Sequence, residues 1–210
     1  QMLIIALSVG SGVGINSLIA RRLGAHRQEE ADQAASTGLR IGVFNYLVFL
    51  LIGVCFTGIF VSGYAEKGSE IYTQAVIYMQ IVCIGSFFLN MQVVFEKILQ
   101  STGNMILPMI SNIAGCITNI ILDPIFIFGH FGCPAMGVKG AAIATVIGQF
   151  VGMSIVLGFL FFKDHIVKIS FKGFRLSARI IKDIYTVALP GMIMQAIPSL
   201  VNVFLNIILM

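Results

Sequence analysis

Three polar side chains and a proline interrupt an otherwise apolar stretch near the middle of the chain, "SNIAGCITNIILDPIFIFG" (residues 111–129). Asn112, Asn119 and Asp123 stand at i, i+7 and i+11, a spacing that places them on one face of a helix. A charged side chain at the centre of a membrane helix costs about 2.5–3.5 kcal/mol on insertion scales, so such a residue is by default a candidate functional site. Asn119 and Asp123 therefore predict a site that binds a cation or relays a proton.

The depth of Asp123 leaves a second interpretation open. Counted from residue 105 at about 1.5 Å per residue, Asp123 lies some 27 Å along a hydrocarbon core about 30 Å thick. It would then be a hydrated residue at a helix end, because Pro124 disfavours helical geometry in the residue before it. Against this, "IFIF" continues the apolar run after Pro124, and Asn119 lies one turn further into the core.

The elements that must position these residues are membrane helices. The chain is 58% hydrophobic and 10% charged, whereas soluble domains average about 45–50% apolar and about 25% charged residues. A spanning helix needs about 20 largely apolar residues, and the length of the runs, without strand-like alternation, predicts an all-α polytopic bundle. Six stretches qualify, at approximately residues 2–20, 38–64, 71–99, 105–128, 138–162 and 185–210.

Basic residues are concentrated in alternate connections between these stretches. Eleven of them lie in the loops after the first, third and fifth stretches, and only Lys67 and Lys139 lie in the other loops. This is the positive-inside pattern of a multi-pass protein of the plasma (inner) membrane, and it argues against a nucleic-acid surface. The pattern places residue 1 on the outer side, so we expect a further helix upstream, and we expect the chain to be truncated at both ends.

Other polar residues within the stretches are candidates to line a cavity or to join helices. Asn112 shares the face of Asn119, Gln92 lies in the third stretch, and Gln195 and Asn202 stand at i and i+7 in the sixth. Asn90 poses the same choice in the third stretch.

Two further patterns predict structural roles. Glu96 is followed directly by Lys97 near the inner end of the third stretch, which favours an interfacial charge pair. Gly10, Gly12 and Gly14 in the first stretch favour close helix packing over flexing.

Catalytic and metal chemistry are not predicted. An intramembrane hydrolase needs a nucleophile beside a base, or a metal cluster. His26, His130 and His165 lie in separate loops, and the four cysteines have no CxxC spacing. The sequence therefore predicts a protein that is not an enzyme and has no metal or cofactor beyond a bound coupling ion.

Four linked motifs resemble the multidrug and toxic compound extrusion (MATE) transporters, and the resemblance covers essentially the whole chain. It implies twelve helices in two six-helix lobes. Residues 1–162 would supply helices two to six of the N-terminal lobe, residues 163–184 a basic cytoplasmic linker, and residues 185–210 most of the seventh helix. The motifs are "GVGINSLIARRLGAHRQEEADQAAS", "LQSTGNMILPM", "NIILDPIFIFG" and "PAMGVKGAAIATVIGQ".

The resemblance also implies roles for individual residues. In one branch of the family an N-lobe cation site draws an Asn and an Asp from the fifth helix, which match Asn119 and Asp123, and a Thr from the sixth, which matches Thr145 in "GAAIAT". A further Asp of that site belongs to the first helix, which this chain lacks. Another branch places a Glu in the seventh helix, but residues 185–210 contain no acid. The N-lobe branch is therefore favoured.

The function implied is a monomeric secondary antiporter. It would export lipophilic or cationic drugs and metabolites, with organic cations as the expected substrates, in exchange for protons or sodium by alternating access. One alternative is a flippase for lipid-linked precursors from the same wider superfamily, but that function needs a strongly cationic cavity, whereas the basic residues here lie in loops. The other is a non-transporting membrane scaffold, in which an amide at Asp123 would be tolerated.

Overall fold

Six α-helices follow the six apolar stretches of the sequence. The computed structural model describes residues 2–63, 68–129, 134–162 and 178–209. All six helices are long and apolar enough to cross a membrane, so the prediction of an all-α polytopic bundle is confirmed. They are α1 (Met2–Gly24), α2 (Gln28–Ser62), α3 (Glu70–Ser101), α4 (Ile106–Phe128), α5 (Val138–Phe162) and α6 (Ala178–Leu209).

The second helix begins earlier than the sequence suggested. The apolar stretch predicted at residues 38–64 is the later part of a longer helix, since α2 runs without interruption from Gln28. The break from α1 is a tight turn that includes His26, at φ 57°. Glu29 and Glu30 lie in the first turn of α2, where carboxylates interact favourably with the helix dipole. The end of the bundle that holds this turn is called the inner end below, after the charge pattern.

The sixth helix also begins before its apolar run. It starts at Ala178 and carries Pro190 and Pro198 in its interior. The last residues of the predicted 163–184 linker are therefore helical, and residues 163–177 of that linker lie outside the described residues.

A buried polar cluster joins α1, α2 and α3. Ser8 Oγ donates to Asn90 Oδ1 at 2.7 Å, and Asn45 Nδ2 donates to Ser11 Oγ at 3.2 Å. Asn90 Nδ2 in turn donates to the backbone carbonyl of Ser86 at 2.8 Å. All five side chains are buried. Asn90 thus joins helices, which was one of its two predicted roles.

We expect Ser8→Ala to lower the free energy of unfolding by about 1–3 kcal/mol, because it leaves the buried Asn90 Oδ1 without its donor. Thermal unfolding of the full-length protein in detergent measures this. Ser154→Ala is the control, since Ser154 is exposed and donates only to the Phe150 carbonyl one turn back. Equal melting temperatures for the two variants would contradict the expected role of the cluster.

Glycines allow α1 to approach its neighbours closely. A Cβ added at Gly14 would overlap the Ile184 carbonyl oxygen of α6, and one at Gly10 would overlap Met192. A Cβ at Gly12 would lie 2.8 Å from Lys97 Cγ of α3. The prediction of packing for these glycines is confirmed.

The pair formed by α4 and α5 is equally close. A Cβ on Gly148 would lie 2.8 Å from the Gly115 carbonyl oxygen, and one on Gly115 would lie 2.9 Å from the Gly148 carbonyl oxygen. The two backbones therefore touch directly, as small residues permit. The small residues of α5 recur every four positions and form one stripe, at Gly140, Ala144, Gly148 and Gly152. This stripe allows α5 to pack closely against its neighbours.

Candidate cation site and polar cavity

Asp123 lies inside α4 rather than at its end. The helix continues through Pro124 to Phe128, and it ends where Gly129 adopts a left-handed conformation at φ 76°. Proline lacks an N–H and so withholds a hydrogen bond from the Ile120 carbonyl, but it does not end the helix. Asp123 is half-buried, so its carboxylate lies on a spanning helix with restricted access to solvent.

Asn119 connects this carboxylate to α5. With the amide turned so that both of its polar atoms find partners, its nitrogen donates to Asp123 Oδ2 at 3.2 Å. Its oxygen then accepts from the Thr145 backbone N–H, also at 3.2 Å. The Thr145 hydroxyl donates to the Ala141 carbonyl at 2.9 Å. The structure thus brings together the three residues singled out in the sequence, but Asn119 contacts the backbone of Thr145 and not its hydroxyl.

The position of Asn119 depends on the glycine contact between the two helices. A Cβ on Gly148, one turn beyond Thr145, would lie 3.3 Å from Asn119 Cβ, which is tighter than ordinary contact. The absence of a side chain at Gly148 allows α4 to lie close enough for Asn119 to reach Thr145.

A cavity of about 220 Å³ extends from this site between α3, α4 and α5. Its polar walls include Gln92 and Glu96 of α3, Asn112 and Asn119 of α4, and Thr145 of α5. Two of the four predicted cavity residues, Gln92 and Asn112, therefore face the same cavity as the candidate cation site.

The other two predicted cavity residues belong to α6. Gln195 is exposed and is not part of this cavity's described lining. The side chain of Asn202 lies outside the described residues.

A second set of hydrogen bonds lies in the part of the cavity nearer the inner end. Gln92 Nε2 donates to Glu96 Oε1 at 2.9 Å and to Asn112 Oδ1 at 3.3 Å. Ser111 Oγ lies 3.3 Å from the same Glu96 oxygen. This cluster was not predicted from the sequence. The signal that could have indicated it is the i, i+4 spacing of Gln92 and Glu96, which places them on one helix face.

The predicted charge pair between Glu96 and Lys97 is wrong. Lys97 Nζ donates to Gln100 Oε1 at 2.9 Å, while Glu96 points into the cavity. Consecutive residues on a helix do not face each other, so the side chains of Glu96 and Lys97 point in different directions.

Comparison with known proteins identifies the chain. A family model described as MatE matches residues 1–125, more than half of the sequence. The chain belongs to the MatE family. Over 164 residues this MatE chain is 29% identical to the probable multidrug resistance protein NorM of Thermotoga maritima, an alignment that covers 78% of the chain and 34% of NorM.

Two solved structures place the MatE fold in both access states. They are the inward-facing and the outward-facing conformations of a multidrug resistance MATE family transporter of the MOP superfamily, each 34% identical with a TM-score of 0.84. The inward-facing match covers 92% of this chain and 43% of that chain, and the outward-facing match covers 98% and 45%. The MatE chain therefore spans about a third to somewhat under half of the relatives it matches.

Proposed function

We propose that the full-length protein exports lipophilic or cationic organic molecules across the plasma membrane in exchange for a cation. The observation that carries this proposal is the half-buried Asp123 carboxylate on a spanning helix, hydrogen-bonded to Asn119 and linked through it to the Thr145 backbone. The names of its relatives, which are multidrug transporters, support the substrate class. The proposed activity is movement of solutes, without a chemical step.

The coupling follows from electrostatics. Binding of a proton or a sodium ion at Asp123 removes its net negative charge, and the Asn119 amide is then free to reorient. If the inward-facing and outward-facing states hold the carboxylate differently, the bound ion shifts their populations by the ratio of its affinities for the two states. Export of the substrate would then be driven by inward flow of the ion.

The test is an efflux measurement on the full-length protein in proteoliposomes loaded with ethidium, a lipophilic cation. Each preparation is measured with no gradient, with a proton gradient and with a sodium gradient. We expect one gradient to accelerate efflux. A rate that neither gradient changes would contradict the proposal and favour the non-transporting scaffold.

Thr145→Val distinguishes the two ions. Sodium needs oxygen ligands. Loss of the hydroxyl would therefore raise the sodium concentration for half-maximal efflux about tenfold, the change expected when the ion loses one strong interaction. Protonation of Asp123 needs no such ligand, and a proton-driven rate would stay near that of the wild type. Thr118→Val is the matched control, because Thr118 makes the same hydrogen bond one turn back, to Ala114, on α4.

A further inference from the structure

Glu96 is a buried carboxylate that the proposed coupling at Asp123 does not use. It lies on α3, five residues before the helix ends at Ser101, and its side chain is only 7% exposed. Its Oε1 atom accepts a hydrogen bond from Gln92 Nε2 at 2.9 Å and lies 3.3 Å from Ser111 Oγ. Both donors are neutral, so neither offsets a negative charge.

No cation pairs with Glu96 among the described residues. The side chain of the neighbouring Lys97 instead donates to Gln100 Oε1 at 2.9 Å. Within the cavity lining, Cys116 of α4 is the other titratable side chain, and α5 contributes none. None of the ion pairs found between described residues includes Glu96. An unpaired charge in such an interior is costly unless a proton or a cation neutralises it.

The cavity connects Glu96 with the candidate cation site. Glu96, Asn112, Asn119 and Thr145 line the same space of about 220 Å³. Along α4, Asn112 and Asp123 are eleven residues apart, or about 16 Å at 1.5 Å per residue. Glu96 therefore lines the cavity directly, whereas Asp123 is linked to it through the hydrogen bond from Asn119.

We propose that Glu96 is a second ion-binding carboxylate of the transporter, which takes up a proton or a small monovalent cation at the inner end of this cavity. The inference rests on the proposed function, since it adds a site to the path of the coupling ion. Gln92 and Ser111 position the carboxylate. Gln92 is itself held by Asn112, whose Oδ1 accepts a hydrogen bond from the Gln92 amide nitrogen.

The hydrogen bonds around Glu96 suit both of its charge states. The Ser111 hydroxyl has one proton and two acceptors within reach, Glu96 Oε1 at 3.3 Å and the Pro108 carbonyl at 3.2 Å. While Glu96 is ionised, Ser111 and Gln92 both donate to it. After a proton binds to a Glu96 oxygen, the new O–H can donate to Ser111 Oγ, and Ser111 can donate to Pro108. When the proton leaves to the cavity, the first arrangement is restored.

The space for Gln92 is provided by α5. A Cβ on Gly152 would lie 2.7 Å from Gln92 Nε2, so a side chain at this position would displace the amide from where it lies. The small-residue stripe of α5 thus supports the inner carboxylate through Gly152 and the outer site through Gly148.

The test replaces Glu96 with Gln in the full-length protein. The amide oxygen can still accept from Gln92 and Ser111, but the side chain can no longer gain or lose a charge. We expect gradient-driven ethidium efflux in proteoliposomes to fall at least about tenfold, with ethidium binding to the purified protein within about twofold of the wild type. Glu70→Gln, the same change at an exposed position of the same helix, is the matched control and should transport like the wild type.

Ser111→Ala separates ion binding from a structural role and applies even if Glu96→Gln fails to insert. The hydrogen bond from Ser111 to the ionised carboxylate is charge-assisted and therefore stronger than the one that Ser111 accepts from the protonated form. Its loss favours the protonated form, so in the proton-driven assay the pH of half-maximal efflux should rise by about half a unit or more. In the sodium-driven assay, loss of the hydroxyl oxygen should instead raise the sodium concentration for half-maximal efflux. A purely structural role for Ser111 would change the rate without moving either midpoint.

The outcomes distinguish this inference from the proposed function. If Asp123→Asn abolishes gradient-driven efflux while Glu96→Gln and Ser111→Ala keep the wild-type rate and midpoints, the second carboxylate is overturned and the proposed function stands. If neither gradient changes the rate of ethidium efflux by the wild type, the proposed function fails, and the inference fails with it.

Discussion

Replacing Asp123 with Asn in the full-length protein should reduce gradient-driven efflux to the level of protein-free vesicles. Moving a two-state equilibrium from 1:99 to 99:1 requires an ion that favours one state by about 5.5 kcal/mol. An asparagine side chain is uncharged, so it neither takes up a proton nor offers sodium a negative charge. The difference in ion affinity between the two states, which drives the change, therefore disappears. The amide has the same shape as the carboxylate and removes a charge that is costly in the membrane, so insertion should not suffer.

The measurement is ethidium efflux from proteoliposomes, with the amount of inserted protein determined for each variant. Asp32→Asn is the control, since it makes the same substitution in the polar first turns of α2, where Asp32 accepts from Gln28 at 3.2 Å. Asp32→Asn should retain the wild-type response to the gradient. Unchanged coupling in Asp123→Asn would remove Asp123 from the mechanism and support a scaffold.

Replacing Gly148 with Ala should both destabilise the protein and impair coupling. The new Cβ would lie 2.8 Å from a backbone oxygen of Gly115 and 3.3 Å from Asn119 Cβ, and a backbone atom cannot rotate away as a side chain can. Overpacking of this kind costs about 1–3 kcal/mol, which exceeds the gain of about 1 kcal/mol from the better helix propensity of alanine. The helices must separate, and Asn119 then loses its contact with Thr145.

Gly158→Ala is the matched control on the same helix. A Cβ at Gly158 meets nothing within 4 Å, so only the propensity gain applies, and its melting temperature should equal or exceed that of the wild type. Both the melting temperature in detergent and the rate of ethidium efflux should be lower for Gly148→Ala than for Gly158→Ala. A Gly148→Ala protein that melts and transports like Gly158→Ala would show that the backbone contact does not position the site.

Much of the architecture was predictable from the sequence because membrane helices leave a local signal. The apolar stretches are long enough to identify each span without knowledge of its neighbours, and all six are present. The face shared by Asn112, Asn119 and Asp123 follows from helical periodicity alone. Thr145 was different, since only the family resemblance connected it with α4; no spacing within α5 indicates which helix it contacts.

The main feature that was not predicted from the sequence depends on which helices pack against each other. Glu96 was paired with the adjacent Lys97, whereas its partners come from its own helix face and from Ser111 on α4. The first ten residues of α2 were also missed, because they lie outside the apolar run that marks the span, although they contain no helix breaker. The position of Asp123 inside α4 was left open by the sequence, since proline often ends a helix and here does not.

The backbone contact between Gly115 and Gly148 has a mechanical consequence. Where helices interlock through side-chain ridges and grooves, displacement of one along the other requires each ridge to leave one groove and enter the next. At this crossing no side chain stands between the two backbones, so a small slide or roll meets little steric resistance. This contact lies beside the place where Asn119 of α4 meets the backbone of Thr145 on α5, so a small displacement there would change the groups that surround the bound ion.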